Sequence, residues 1–318
     1  MAEVVALGEL LIDFAPVSTD GEGYPTLKAN PGGAPANFLA ALNACGVSTA
    51  LLGKVGEDAF GDLLVATLER AGISTRGIVR DGEVFTTLAF VTLDADGDRA
   101  FSFARKPGAD TCLRPEEADR ELIREAKVFH FGTLSLTDDP ARSTTRECVA
   151  FAKAAGKLIS FDPNLRPPLW KSMEDARAEM LWGLSVADVV KISDDEAQFL
   201  FGLSPEDSAA HILRSFGCSL VFVTCGAEGC VFANPMASGR VPALAGVKCV
   251  DTTGAGDIFG GSAMAKLLAT GKAPETLNGE ELAAITRYAC AAAGLSTMAL
   301  GGISSVPAPA AVAAAMNG

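Results

Sequence analysis

Between Lys248 and Ser262 the chain sets Asp251, two threonines, Gly254-Ala255-Gly256 and Asp257 directly ahead of an apolar run. A helix starting there leaves its first amide N–H groups without intrahelical partners, and its positive end strengthens their hold on an anion. Glycine at 254 and 256 lets the backbone approach phosphoryl oxygens with no Cβ between. Asp257 stands in the same turn. A carboxylate there can accept the proton of an attacking alcohol while the amides stabilise charge on a transferred phosphoryl group. An ordinary aspartate pKa of about 3.9 makes a weak base, so alignment and electrostatics must carry much of the rate. The plainer reading is a helix cap at Asp257 with Gly256 turning the chain. Spacing alone leaves both open.

Four further segments carry polar groups where sequence places strand ends or helix starts. Asp13 sits among Leu11, Ile12 and Phe14, where a carboxylate needs partners such as sugar hydroxyls or amides, unless it lies exposed at a strand edge. Gly32 and Gly33 precede a helix that holds Asn37, whose amide offers a hydroxyl both donor and acceptor. Asp162-Pro163-Asn164-Leu165-Arg166 follows a strand and suits a cleft wall, though a solvated turn would read the same way. Glu196 falls in the first turn of a helix after Lys191 and Ser193; it could order water around a metal-nucleotide complex or simply complement the helix dipole. Thr224 and Gly226 end another strand at the height of a nucleotide.

Other chemistries are excluded by pattern. None of the Gly-Lys pairs (53–54, 156–157, 271–272) is followed by Ser or Thr, so there is no P-loop. No GxGxxG opens the first helix, and neither HExxH nor GxSxG occurs. Two histidines cannot build a His-rich metal cluster, and the eight cysteines, none in a CxxC, read as reduced thiols. A net charge of -13 works against a nucleic-acid or anionic-membrane surface without excluding a locally positive pocket. No apolar run is long enough to span a bilayer, and the N-terminus reads as a strand rather than a signal, which makes the cytoplasm the expected compartment.

The elements that must position these groups follow from periodicity. Strands are predicted at 4–7, 10–14 and 50–53, helices at 34–45 and 58–71, with 21–31 a polar excursion. Residues 86–93 and 100–104 read as antiparallel strands around a turn at 94–99, forming with that excursion a small separate sheet. Beyond residue 120, strands at 128–131, 158–161, 189–191 and 220–224 alternate with helices at 140–155, 173–184, 194–201, 208–216, 256–269 and 279–297. Short, continuously apolar strands between helices imply a mostly parallel sheet covered on both faces, with ligands at the carboxyl ends of its strands. No internal repeat or domain boundary is visible.

PGGAPANFLAALNACG (31–46) and DTTGAGDIFGG (251–261), in that order and separation, resemble the two signatures of the phosphofructokinase-B family of ribokinase-like carbohydrate kinases. The resemblance runs from GELLIDF (8–14) to GISSVP (302–307). LLGKVGEDAFG (51–61), TTLAFVTLDADGDRAF (86–101), FDPNLRPPLW (161–170) and VVKISDDEAQFL (189–200) are most similar to bacterial and plant fructokinases. It implies one ribokinase-like α/β/α kinase unit over 1–318, with a lid made of about 11–32 and 84–108 that often forms a dimer contact. It implies transfer of phosphate from ATP to a sugar's primary hydroxyl, fructose first, with Mg2+ and a potassium-type cation. A 2-keto-3-deoxygluconate kinase or another sugar kinase of the family is the alternative, and a non-catalytic sugar-binding regulator the alternative of another class.

By position, Asp257 would be the catalytic base, and Gly254, Ala255 and Gly256 the anion hole. Asp13, Gly33 and Asn37 would contact sugar hydroxyls, with Arg105 and Asn164 near the acceptor or the transferred phosphate. Lys191, Ser193 and Glu196, with Thr224, Gly226 and Gly229 of a TxGxxG pattern, would serve the nucleotide, Glu196 reaching Mg2+ through water. Asp251, Thr253 and Gly302 would hold the monovalent cation. Where fructokinases carry a sequence like FYRNPSAD, this chain has Ala104 and Lys106 in place of the aromatic and the amide. Loss of the aromatic would enlarge the acceptor pocket, and Lys106 could greet an acidic sugar.

Overall fold

The computed structural model of the chain describes residues 1–93 and 99–317. The chain enters through β1 (Val4–Leu7) and runs into an antiparallel pair, β2 (Leu11–Thr19) and β3 (Pro25–Gly32). It continues through α1 (Ala34–Ala44), β4 (Thr49–Gly56), α2 (Ala59–Arg70) and β5 (Ile78–Asp81). A second antiparallel pair, β6 (Leu88–Leu93) and β7 (Arg99–Ala104), precedes α3 (Arg120–Glu125). Then come β8 (Val128–Gly132), α4 (Ala141–Ala154), β9 (Leu158–Asp162) and α5 (Met173–Val186). They are followed by β10 (Val189–Ser193), α6 (Asp194–Phe201), α7 (Pro205–Phe216) and β11 (Leu220–Thr224). Strands β12 (Cys230–Ala233) and β13 (Ser238–Val241) lead to α8 (Ala255–Thr270), α9 (Gly279–Ser296) and α10 (Pro309–Asn317).

The nine-stranded central sheet has the order β13-β12-β11-β10-β9-β8-β1-β4-β5. It is parallel from β11 to β5, and antiparallel pairing adds β12 and β13 at one edge. Its strands are apolar on both faces because both are covered. In β1, Val5 and Leu7 enter one core with α4, α5 and α7, while Val4 and Ala6 enter the other with α1, α8 and α9. The order reverses beside β1, where the chain leaves to β4 on one side and β8 lies on the other. Such a reversal opens a crevice at the carboxyl ends of the strands.

A four-stranded sheet, β3-β2-β6-β7, projects from that end. Residues 21–31, expected as an excursion, are largely strand: Asn30 faces Asp13 and Lys28 faces Ala15 across the β2–β3 ladder. Much of this sheet is exposed, so no buried stripe marks the strand in sequence. Phe14 packs it down, stacking on Phe90 at 5.3 Å and edge-on to Phe60 of α2 at 5.5 Å. The turn expected at 94–99 lies, up to residue 98, outside the described residues. Helix α7 starts at Pro205, three residues before its sequence prediction, because Ser204 caps it and proline suits the first turn.

Candidate active site

Helix α8 begins at Gly254, which adopts a left-handed φ of 77° and provides no side-chain cap. A side chain there would be strained, and its Cβ would lie 2.9 Å from the Gly302 Cα. The Ala255 amide donates to the Thr252 carbonyl. The cradle for an anion therefore rests on the amides that follow, at Gly256 and Asp257. Asp257 is buried, and both its oxygens are held by amide side chains. Asn37 Nδ2 of α1 donates to Oδ2 at 2.9 Å, and Asn164 Nδ2, beyond β9, donates to Oδ1 at 3.2 Å. Asn164 takes a left-handed φ of 48°, a conformation asparagine tolerates better than most residues. Asn37 is wedged between Gly254 and Gly302, and its Oδ1 is buried with no hydrogen-bond partner. A buried acceptor in that state is suited to a donor from outside, such as a hydroxyl.

Asp257 forms part of the floor of a cleft of about 550 Å³. Asp13, Gly33, Asn37 and Asn164 line it, together with Lys191, Ser193, Glu196, Thr224 and Gly226. Thr253, Gly254 and Gly256 line it as well. A second cavity of about 420 Å³ adjoins it, sharing Thr224, Gly226, Thr252 and Gly256; Gly229 and Ala255 line this one, among apolar groups such as Leu244, Val247 and Phe259. A polar trough opening into an apolar slot fits a phosphate chain followed by a flat base.

Two expected residues, Arg105 and Lys106, do not line the cleft. Arg105 does not line the cleft: its guanidinium is spent on Asp110 at 2.6 and 2.8 Å, on Thr137 Oγ1 and on the Leu134 carbonyl. Burial disfavours a lone cation there, and pairing with Asp110 satisfies it, so Arg105 anchors the root of β7. Asp251 accepts from the Thr253 and Gly301 amides, tying the loop before α8 to the loop that carries Gly302. Lys106 is exposed and lies away from the cleft. Glu196 closes a capping box with Ser193 and also accepts the Leu165 amide at 2.6 Å, so it fixes the loop bearing Asn164.

Glu9 and Arg166 line the cleft without having been given a site role from sequence. Glu9 accepts the Ala34 amide at 2.8 Å and so supplies the cap that Gly33 cannot give α1. Arg166 lines the cleft, where its charge acts on Asp13 and Asp257. Arg166 belongs to the 162–166 segment already read as a cleft wall; Glu9 carried no signal beyond a charge in an apolar strand end.

The electrostatics are those of carboxylates gathered away from water. Burial pushes Glu9 and Asp13 up to about 7, with Arg166 pulling Asp13 back. Burial also raises Asp257, opposed by the Asn37 hydrogen bond and by Lys191 and Arg166. A carboxylate raised in this way is a stronger base than a solvated one, and the two cations oppose its neutralisation.

Residues 1–309 match the profile of the pfkB family carbohydrate kinases. Fructokinase-2 of Solanum lycopersicum is 41% identical over 310 residues, which cover 96% of this chain and 93% of that protein. The crystal structure of Xylella fastidiosa fructokinase with bound ATP superposes with a TM-score of 0.89 at 30% identity, covering 100% of this chain and 99% of its own. A double mutant of Vibrio cholerae O395 fructokinase, solved with fructose, ADP and a potassium ion, gives 0.87 at 32% identity, covering 99% and 98%. With both signature segments meeting at Asp257 and the whole fold shared, the chain belongs to the pfkB family of carbohydrate kinases.

Proposed function

We propose that this kinase transfers the γ-phosphoryl group of ATP to the primary 6-hydroxyl of D-fructose. The carrying observation is Asp257, clamped by Asn37 and Asn164 at the glycine turn where the polar cleft meets the apolar slot. The names of the tomato, Xylella and Vibrio relatives support fructose as acceptor and ATP as donor. In this reading Asp257 takes the hydroxyl proton as the oxygen attacks, Asp13, Gly33 and Asn37 orient the sugar, and the turn's amides meet the migrating phosphoryl oxygens. The lid sheet excludes water from the cleft.

Among the described residues no three His, Cys, Asp or Glu side chains form a metal cluster. Glu196, each of whose oxygens already accepts a backbone amide, fits contact with hydrated Mg2+ through water. Asp251, with Thr253 and the backbone near Gly302, offers the hard oxygen donors that suit a potassium-type cation, which would add positive charge beside the turn. One kinase unit over 1–318 with a lid of about 11–32 and 84–108, pairing of two chains through that lid, and a cytoplasmic setting complete the reading. Val17 and Tyr24 are exposed on the lid, and no helix among the described residues is long and apolar enough to cross a membrane. Sedimentation at micromolar concentration showing only monomer would remove the lid pairing.

Arg166 favours a second acceptor. A guanidinium in the cleft, rather than the exposed Lys106, could receive the carboxylate of 2-keto-3-deoxygluconate. ADP release measured with fructose, 2-keto-3-deoxygluconate and ribose, with and without potassium, decides between them by ratio of kcat/KM. Fructose should lead; a larger kcat/KM for the acidic sugar overturns the assignment, and no turnover with any acceptor overturns the kinase.

A further inference from the structure

We infer that Asp162 is a positioning residue for phosphoryl transfer, holding Lys191 at the glycine turn and Asn164 on Asp257. This rests on the kinase reading, with Lys191 serving the nucleotide phosphates.

Asp162 is the last residue of β9 and Lys191 stands beside it on β10, one step beyond the paired Val190 and Phe161. Lys191 Nζ lies 3.0 Å from Asp162 Oδ2 and 3.3 Å from Oδ1. The same ammonium reaches the first turn of α8: a Cβ added to Gly256 would lie 2.8 Å from Nζ. Lys191 is thus aimed between the carboxylate that fixes it and the amides that cradle the anion. Asp162 Oδ1 also accepts the Asn164 amide at 3.2 Å, and so holds the left-handed turn from which Asn164 donates to Asp257. One buried carboxylate therefore governs both a cation beside the glycine turn and an amide that reaches Asp257.

The surroundings make that control effective. Behind the pair lies a closed chamber of about 20 Å³ walled by Phe161, Phe222 and Met264. His130 occupies the chamber wall as a neutral ring, stacked on Phe38 at 3.8 Å and bonded to Ser160; burial pushes it down to about 3. Burial works against a charge on Lys191, but Asp162, Glu196 and Asp257 together raise it, so the ammonium persists. Largely buried, it is screened less than a solvated ammonium, so its field reaches the turn more strongly than it would in bulk water. Lysine without Asp162 would keep its charge but lose its direction.

The test is a double-mutant cycle on the full chain with MgATP and fructose. Asp162→Asn keeps the acceptor for the Asn164 amide and removes the charge facing Lys191; kcat should fall roughly 10- to 100-fold, short of the ~10²–10³ for losing a direct donor. KM for fructose should change little. Lys191→Met, which removes the donor itself, should lose more, about 10²–10³-fold, and the double variant no more than that larger single loss, because both act as one unit. A purely structural role predicts a lowered Tm with unchanged kcat in whatever remains folded, and independent roles predict losses that multiply. Unchanged kcat in Asp162→Asn, or multiplying losses, overturns the inference. Unchanged kcat in Lys191→Met overturns it together with the nucleotide role of Lys191, whereas a wild-type chain inert toward every sugar overturns the kinase reading itself. If Lys191→Met does not fold, Lys191→Gln completes the cycle under the same criteria.

Discussion

Two adjacent glycines of α8 should respond in opposite ways to alanine. In a helix interior, Gly→Ala ordinarily stabilises by up to about 1 kcal/mol. At Gly261 a Cβ would land on the Phe38 carbonyl of α1 and lie 2.9 Å from the Ala41 Cβ, where carbon atoms need about 3.5–4.0 Å. The carbonyl contact is the tighter of the two, and relief requires the helices to part by roughly 1 Å. Overpacking of that size costs about 1–3 kcal/mol, which with the full propensity gain set against it leaves a net loss of up to about 2 kcal/mol. Asn37 lies one residue before Phe38, and Asp257 one turn before Gly261, so the 2.9 Å bond between them lengthens with the crossing. A displacement near 1 Å at reacting groups costs about 10²-fold. Gly261→Ala should therefore lose a few degrees of Tm and at least 10-fold in kcat. At Gly260 the nearest atoms are Phe38 ring carbons at 3.4 and 3.7 Å, ordinary contact, so Gly260→Ala should hold or raise Tm and keep kcat within about twofold. Thermal unfolding and a coupled ADP assay read both. Gly261→Ala with full activity and an unchanged or higher Tm refutes the reasoning that this crossing sets the site.

Asp257→Asn should fold and bind both substrates while kcat drops by about 10² or more; near-normal turnover would deny it the role of base. Glu9, raised to about 7 by burial, binds its proton more tightly folded than unfolded, so its contribution is full below its unfolded value and lost as pH rises through about 7. Glu9→Gln, which keeps the acceptor for Ala34, should therefore gain in Tm relative to wild type between pH 5 and 8, and a constant difference across that range would contradict the shift. Ser193→Ala removes one half of the α6 capping box and should cost about 1 kcal/mol, with KM for ATP rising as Glu196 loosens its hold on residue 165. An unchanged KM in urea-stable protein would make that box purely structural.

Sequence periodicity located the central sheet well because β1, β8, β9, β10 and β11 are short, continuously apolar and followed by glycines or polar strand ends. The glycine turn with Asp257 was legible for the same reason: the residue types are dictated by backbone geometry. Strands β3 and β13 were not, since their exposed faces leave no stripe for a pattern to detect. Arg105 illustrates another limit. A guanidinium beside a cleft motif looks the same in sequence whether it faces ligand or is consumed by Asp110, and only the fold decides. Glu9 shows the converse, a charge whose task as a helix cap exists only once residues 9 and 34 are brought together.

Asn37 and Asp257 are 220 positions apart in the chain. During synthesis the sheet strands from β1 to β11 are made before α8, so a nascent chain can begin assembling its scaffold while the proton acceptor is still unmade. Turnover by this chemistry then waits for α8, and no partial polypeptide ending before it can consume nucleotide in this way.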